Sequence, residues 1–217
     1  MKLYTFFQSG SAYRARIALA LKAIDYEPVY VVIKRGEGDL HEPEYLKLNP
    51  SAVVPTLIDG DHVLNQTIPI MEYLEEKHPS PALLPKDAAG RARVRAMAQI
   101  MVSDTHPLGT ARVIDYLDET LGLEKEIQDA WMDFWNRRGF RALEKMLSDG
   151  TTPGQHCHGN EPTMADICLA AQFFVTHKFN VDLSDCPQVN RVYENCMKLP
   201  AFSDTHPSKQ PDNPANK

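Results

Sequence analysis

Within its first 33 residues the chain reads strand, helix, strand, and that order leaves few folds open. Lys2 to Phe6 is a short β-branched and aromatic run ending at the turn formers Ser9 and Gly10. A helical stripe follows from Ser11, with Ile17, Leu21 and Ile24 on one side, Ala18 and Ala20 beside them, and Arg14, Arg16 and Lys22 placed to stay in solvent. Tyr26 to Ile33 (YEPVYVVI) then reads as a second strand. Two strands joined through a helix run parallel, because the crossover returns the chain to the same end of the sheet. The spacing predicts a βαβ unit.

The pattern continues after a charged, Gly-containing loop. Glu42 to Leu48 predicts a short helix that stops before Asn49-Pro50, since the residue ahead of a proline is driven out of the helical region. Thr56 to Asp59 and His62 to Asn65 are strands around a tight Gly60-Asp61 turn. Ile68 to Lys77 has helical spacing at Ile70, Tyr73 and Leu74, with Pro69 in the first turn. The order is thus βαβαββα by residue 78. His78 to Pro85 (HPSPALLP) is proline-dense and marks a linker, beyond which strand signals largely vanish. Arg91 to Val102, Leu108 to Leu121, Glu124 to Leu147, Met164 to Phe174 and Gln188 to Met197 read as helices. The expected organisation is an α/β domain with a mixed sheet over 1–79, a linker over 80–87, an all-helical domain over 88–205 and a loose tail over 206–217, rich in Pro, Asn, Lys and Ser.

Composition narrows the function. A 43% hydrophobic content spread along the chain can fill cores in both regions. The net charge of -6 argues against a nucleic-acid partner, which would need a clustered basic excess. No apolar run approaches the ~18 residues that cross a bilayer, and the N-terminus lacks a signal-peptide layout, so a cytoplasmic protein without a membrane partner is expected. Cys157, Cys168, Cys186 and Cys196 show no CxxC spacing, which suits free thiols in a reducing compartment.

Several clusters could carry chemistry. Ser9-Gly10-Ser11-Ala12-Tyr13-Arg14 brings hydroxyls and free backbone amides to a strand-helix junction, a place that favours an anion. An ordinary serine N-cap would use the same residues. In Val53-Val54-Pro55-Thr56-Leu57 a proline enters a strand and removes a ladder donor. A cis Val54-Pro55 bond would turn the chain and free the Val54 backbone to pair with an extended, peptide-like ligand; a trans proline at a strand start is the simpler alternative. Asn65-Gln66-Thr67 offers side-chain oxygens and amides to an acid, or a Thr67 helix cap. Thr163-Met164-Ala165-Asp166 has capping-box spacing, which makes Asp166 a fold residue. His156-Cys157-His158 lie too close in sequence to share one tetrahedral ion, so no metal is expected. Glu75-Glu76 and Asp118-Glu119 read as solvated helix faces, and Trp131 with Trp135 as helix packing.

Taken together, the hydroxyl motif, the VPTL proline and the Gln-Thr pair, in that order, resemble the glutathione transferase superfamily. Ser9 to Leu19 (SGSAYRARIAL) is most similar to the zeta class, whose pattern is Ser-Ser-Cys-x-Trp-Arg-Val-Arg followed by Ile-Ala-Leu. LKAIDYEPV, LNPSAVVPTL, IMEYLEEKHPSPALLP and HGNEPTMADICLA extend the resemblance to about residue 204. It implies a thioredoxin-like first domain that binds glutathione and a helical domain that shapes the second-substrate pocket and contributes to a homodimer. By the same resemblance Ser9 and Ser11 face the glutathione sulfur, Val54 beside Pro55 pairs with the cysteinyl unit, and Gln66 with Thr67 holds the γ-glutamyl end. His106, in THPLGTAR, matches a polar pocket position, and His41 is a candidate for the glycyl carboxylate.

The implied reaction is the cis-trans isomerisation of a maleyl-type dicarboxylic acid, maleylacetoacetate or maleylpyruvate, in the breakdown of aromatic compounds. A thiolate adds to the activated double bond, rotation follows, and elimination returns the thiol unchanged. Arg14, Arg112 and Lys178 are candidates to hold the substrate carboxylates. A free thiol of pKa about 8.5 must be made acidic. A helix terminus supplies roughly 0.3 to 1 kcal/mol, whereas a hydrogen bond to a charged group is worth about 1.5 to 3 kcal/mol, so the hydroxyl should outweigh the dipole. Alternatives are a transferase or dehalogenase acting on small electrophiles such as α-halo acids, and a non-catalytic glutathione-binding interaction protein. Gly10 and Ser11 replace the motif's second serine and cysteine, which excludes a protein thiol at this site. Gln8 and Lys178 stand where arginines are usual, which weakens a bidentate carboxylate clamp.

Overall fold

A computed structural model of the chain describes residues 1–34, 37–152 and 154–216. Residues 35–36 of the expected charged loop and residue 217 of the tail lie outside that description. The chain divides into two compact units, residues 1–83 together with 199 onward, and residues 84–198. The first carries β1 (Lys2–Thr5), α1 (Gly10–Leu21), β2 (Glu27–Tyr30), β3 (Ile33–Lys34), β4 (Glu37–Gly38), α2 (Pro43–Leu48), β5 (Thr56–Asp59), β6 (His62–Asn65) and α3 (Thr67–Lys77). The second carries α4 (Ala88–Gln99), α5 (Ala111–Asp115), α6 (Lys125–Leu147), α7 (Met164–Lys178) and α8 (Pro187–Met197), after which α9 (Pro200–Ser203) rejoins the first unit.

The sheet order is β2-β1-β5-β6, with β1 parallel to β2 and antiparallel to β5, so the βαβ unit and the mixed sheet form as expected. The second strand stops at Tyr30 rather than Ile33, because β1 offers partners only as far as Thr5, opposite Tyr30. Asp39 then takes the chain over: its carboxylate accepts from the Val32 amide at 2.8 Å and its own amide donates to Val32 O at 3.1 Å. The following residues pair in the separate β3–β4 hairpin.

Helix α1 overturns the expected solvent face. Arg14, Arg16 and Lys22 are only 2%, 1% and 5% exposed, because α1 lies against both α3 and α9 and keeps no side for water. Each buried cation is therefore matched by hydrogen bonds. Arg16 donates to Thr5 Oγ1 (2.9 Å), Thr205 O (3.2 Å), Phe6 O and Phe7 O (both 3.4 Å). Lys22 donates to Glu75 Oε2 (2.5 Å), His78 O and Pro81 O (both 2.6 Å). Glu75 accepts in addition from the Leu83 amide at 2.8 Å, so it is a buried junction and only Glu76 faces solvent.

The tail also differs from expectation. Residues 199–205 belong with the sheet rather than with the helical unit, and the segment from 206 is tied down instead of loose. Tyr13 Oη donates to Phe202 O (2.8 Å), the Phe7 amide donates to Asp212 Oδ2 (2.8 Å), and Asn216 Nδ2 donates to Ser208 O and Gln210 O (2.8 and 3.0 Å). Two of its prolines open 3₁₀ turns, at Pro207–Lys209 and Pro214–Asn216.

The second unit is helical, as expected, but two of its helices are interrupted. The helix expected over 91–102 begins at Ala88 and changes to a π-helical turn at Ile100–Thr105, followed by a 3₁₀ turn at His106–Gly109. The one expected over 108–121 begins as α5 and ends as a second π turn at Tyr116–Thr120. Pro107 cannot continue the first helix. Helix α7 runs past Phe174 to Lys178 and is buried nearly all round, which its apolar sequence allows. Among the described residues no helix is long and apolar enough to cross a membrane.

Removing Lys22 would strand Glu75 and two carbonyls. Lys22→Ala is expected to cost about 3–5 kcal/mol in urea unfolding; a loss near zero would show that the buried pair is dispensable.

Candidate functional site

Ser9 sits where β1 gives way to α1, at the end of a turn closed by its own amide on Phe6 O (3.1 Å). It is the N-cap of α1, and its Oγ accepts from the Ala12 amide at 3.1 Å. Capping uses an acceptor lone pair, so the hydroxyl hydrogen remains a donor. Cap and anion contact are thus compatible roles for one side chain. Two residues on, Ser11 Oγ accepts from Arg14 Nη2 at 2.7 Å, and Arg14 Nε donates to Thr67 Oγ1 at 3.1 Å. Arg14 therefore joins the start of α1 to the start of α3.

At the start of α3 the expected Thr67 cap is not made: Thr67 is already the first helical residue, and its hydroxyl accepts from Arg14. Gln66 occupies the cap position instead, exposed and with φ 68°, a left-handed conformation that a non-glycine residue adopts at a cost of about 1–3 kcal/mol. Strain of this kind collects where side chains are aimed at ligands. The Val54–Pro55 bond is cis. The β1–β5 ladder ends with Tyr4 opposite Thr56, so the Val54 backbone lies beyond the paired segment.

A buried polar network holds these parts, and sequence reasoning did not find it. Thr56 Oγ1 donates to Asn65 Oδ1 (2.9 Å), accepts from Asn49 Nδ2 (3.2 Å) and lies 3.0 Å from the Tyr45 hydroxyl. Tyr45 Oη and Asn49 Nδ2 both donate to Val53 O (2.7 and 2.8 Å), and Asn65 Nδ2 donates to Leu48 O (2.9 Å). The residue before the Val54–Pro55 bond and the residue before Gln66 are thereby fixed to one threonine hydroxyl. Burial pushes the Tyr45 phenol up, so it serves as a neutral donor. The only sequence hints were the Asn49-Pro50 stop and the threonine after Pro55.

The other expected site residues belong partly to each unit. His41 is exposed on a 3₁₀ turn at Asp39–His41. Arg112 in α5 and Lys178 at the end of α7 are exposed side chains of the second unit. His106, also in the second unit, has a defined setting. Asn136 Nδ2 donates to Met132 O (2.7 Å), which turns Asn136 Oδ1 toward Gln172 Nε2 (2.7 Å) and Thr176 Oγ1 (2.9 Å). Gln172 Oε1 then faces His106 Nδ1 at 3.0 Å. An acceptor there places the proton of the neutral ring on Nδ1 and makes Nε2 its acceptor nitrogen.

A possible metal cluster is His156, Asp166 and Cys196, all buried, with His156 Nδ1 3.3 Å and Cys196 Sγ 3.8 Å from Asp166 Oδ1. The Asp166 carboxylate is already committed. It accepts from the Cys157 amide (2.8 Å), the Thr163 amide (2.8 Å) and the Thr163 hydroxyl (2.7 Å), the capping box expected from sequence. Burial, with Asp166 nearby, raises the Cys157 and Cys196 thiols well above their ordinary range, and burial pushes Cys186 up to about 12. These three thiols stay protonated at neutral pH and are poor nucleophiles or ligands.

Residues 9–77 match the family model for the glutathione S-transferase N-terminal domain. A maleylacetoacetate isomerase from Pseudomonas aeruginosa is 41% identical over 216 residues, 99% of this chain and 100% of its own. Among solved structures, a holo maleylpyruvate isomerase, described as a bacterial zeta-class glutathione S-transferase, is similar with a TM-score of 0.94 at 41% identity over 98% of this chain and 99% of its own. A maleylacetoacetate isomerase from Methylobacterium extorquens AM1, with bound malonate and glutathione, matches with a TM-score of 0.93 at 38% identity over 99% of this chain and 100% of its own.

The turn that carries His106 depends on close packing. A Cβ at Gly139 would come within 2.0 Å of Thr105 Oγ1, so Gly139→Ala is expected to lower stability by about 1–3 kcal/mol. The loss should shrink in a Thr105→Ala background. Equal losses in both backgrounds, by thermal or urea unfolding, would show that this contact is not the cause.

Proposed function

Because the chain belongs to the zeta class of the glutathione transferase superfamily, we propose that it is a glutathione-dependent cis-trans isomerase of a maleyl-type dicarboxylic acid, maleylacetoacetate or maleylpyruvate. The observation that carries the reading is the Ser9 hydroxyl, which caps α1 through a lone pair and keeps its hydrogen for an anion at the helix start. The donor set suits a γ-glutamyl tripeptide thiol. Two helix starts offer amides to its anionic parts, the Val54 backbone lies off the ladder, and the strained Gln66 stands beside Thr67. Bound glutathione would supply a sulfur nucleophile that adds to the activated double bond and, after rotation about the resulting single bond, is expelled again, so that none is consumed.

The residues of the chain then have separable tasks. Ser9 donates to the sulfur and favours its ionised form, a charge-assisted bond worth more than the helix dipole. Ser11 carries the Arg14 guanidinium on its oxygen, which polarises its hydroxyl as a second donor. Gln66 and Thr67 hold the γ-glutamyl end, Val54 the cysteinyl backbone, and His41 the glycyl carboxylate. His106, its Nδ1 held by Gln172, is the polar residue that the second unit contributes to the pocket. Arg112 and Lys178 are exposed cations able to meet substrate carboxylates. The buried Arg14 acts through Ser11 and Thr67, a change from the substrate-carboxylate role implied by resemblance.

The same reading makes the protein a cytoplasmic homodimer. Buried free cysteines suit a reducing compartment, and the exposed apolar side chains Tyr116, Leu121, Ile127 and Phe134 of the second unit suit a partner surface.

Loss of maleyl absorbance that requires glutathione but does not consume its thiol is the expected activity. Stoichiometric thiol loss, or no loss of maleyl absorbance although glutathione binds, would overturn the isomerase reading. Ser9→Ala should lower kcat roughly 10- to 100-fold, the equivalent of one charge-assisted hydrogen bond, while α1 keeps its circular-dichroism signal.

A further inference from the structure

The turn presenting Ser9 is held from a distant part of the chain. Phe6 to Ser9 form a turn closed by the Ser9 amide on Phe6 O, a bond that does not use the Phe7 amide. That amide donates to Asp212 Oδ2 at 2.8 Å, from a residue 205 positions later in the sequence. The carbonyls of the same turn, Phe6 O and Phe7 O, accept from Arg16, which also reaches Thr205 O. Asp212 Oδ1 is buried. A carboxylate placed this way needs compensation, which the Phe7 amide and the nearby Arg16 charge provide. The turn is thus gripped by an anion on its amide and a cation on its carbonyls, both linked to the returning C-terminal segment.

We propose that Asp212 is a positioning residue for the chemistry at Ser9: its carboxylate fixes the Phe7 amide and so sets the direction of the Ser9 hydroxyl. This rests on Ser9 as the hydroxyl that meets the glutathione sulfur. Loss of the carboxylate releases the Phe7 amide and leaves the turn held only by its closing Ser9–Phe6 bond and by the long Arg16 contacts to its carbonyls, so that Ser9 can shift away from the sulfur without unfolding α1.

The test compares Asp212→Ala, Asp212→Asn and Ser9→Ala in the full chain. The readouts are kcat, KM for the maleyl acid, amide exchange at Phe7, and the pH at which bound glutathione ionises, followed by thiolate ultraviolet absorbance. Asp212→Ala is expected to speed Phe7 exchange, raise the ionisation pH and lower kcat about 3- to 10-fold, with KM for the maleyl acid little changed. Asp212→Asn, which keeps an acceptor oxygen, should lie near the parent. If Ser9→Ala shifts the ionisation and Asp212→Ala does not, the positioning role is overturned while the Ser9 reading stands. If Ser9→Ala leaves the ionisation unshifted, the Ser9 reading fails, and with it a role exerted through Ser9. An Asp212→Asn variant as impaired as Asp212→Ala would also overturn the proposal. Should Asp212→Ala not fold, Asp212→Glu, which keeps the charge but misplaces the oxygen, carries the same comparison.

Discussion

Helix α1 lies against α3 on one side and α9 on another, and the cations at Arg14, Arg16 and Lys22 are consequently buried. A buried cation without partners would cost more than a domain of this size can spare. Each one is therefore a fixed junction. Lys22 gathers Glu75 and the carbonyls of His78 and Pro81, Arg16 gathers the β1–α1 turn and Thr205, and Arg14 gathers Ser11 and Thr67. Burial lowers the Arg16 guanidinium to about 10, with Tyr26 and Asp212 opposing the shift, so it keeps its charge at neutral pH. Most of what positions the first unit's candidate site radiates from these side chains.

A second constraint complements the first. The Val53–Pro55 loop and the Asn65–Gln66 corner belong to different strands, yet both are tied to Thr56 Oγ1 through Tyr45, Asn49 and Asn65. A polar network satisfied at each of these points is rigid as well as stable, since any displacement leaves a buried group unpaired. It offers a physical reason why the strained backbone at Gln66 can persist. In the second unit a comparable chain through Asn136, Gln172 and Thr176 settles the His106 tautomer.

Much of this molecule is legible in its residues before any folding is considered. Local patterns determine the βαβ unit, the hairpin at Gly60-Asp61, the all-helical second region, the capping box at Asp166 and the helix-start hydroxyl at Ser9, because each is set by neighbours within a few positions. Motif order and resemblance supplied the family. Tertiary structure alone decided the burial of Arg14, Arg16, Lys22 and Glu75, since a helical stripe shows which face is apolar but not whether the opposite face is also covered. It likewise decided the cis bond before Pro55, the network around Thr56 and the return of Asp212 to Phe7, all of which join residues the sequence holds apart. Ser9 could be chosen from sequence; what aims it could not, because the groups that hold its turn converge only when the last segment of the chain folds back on the first.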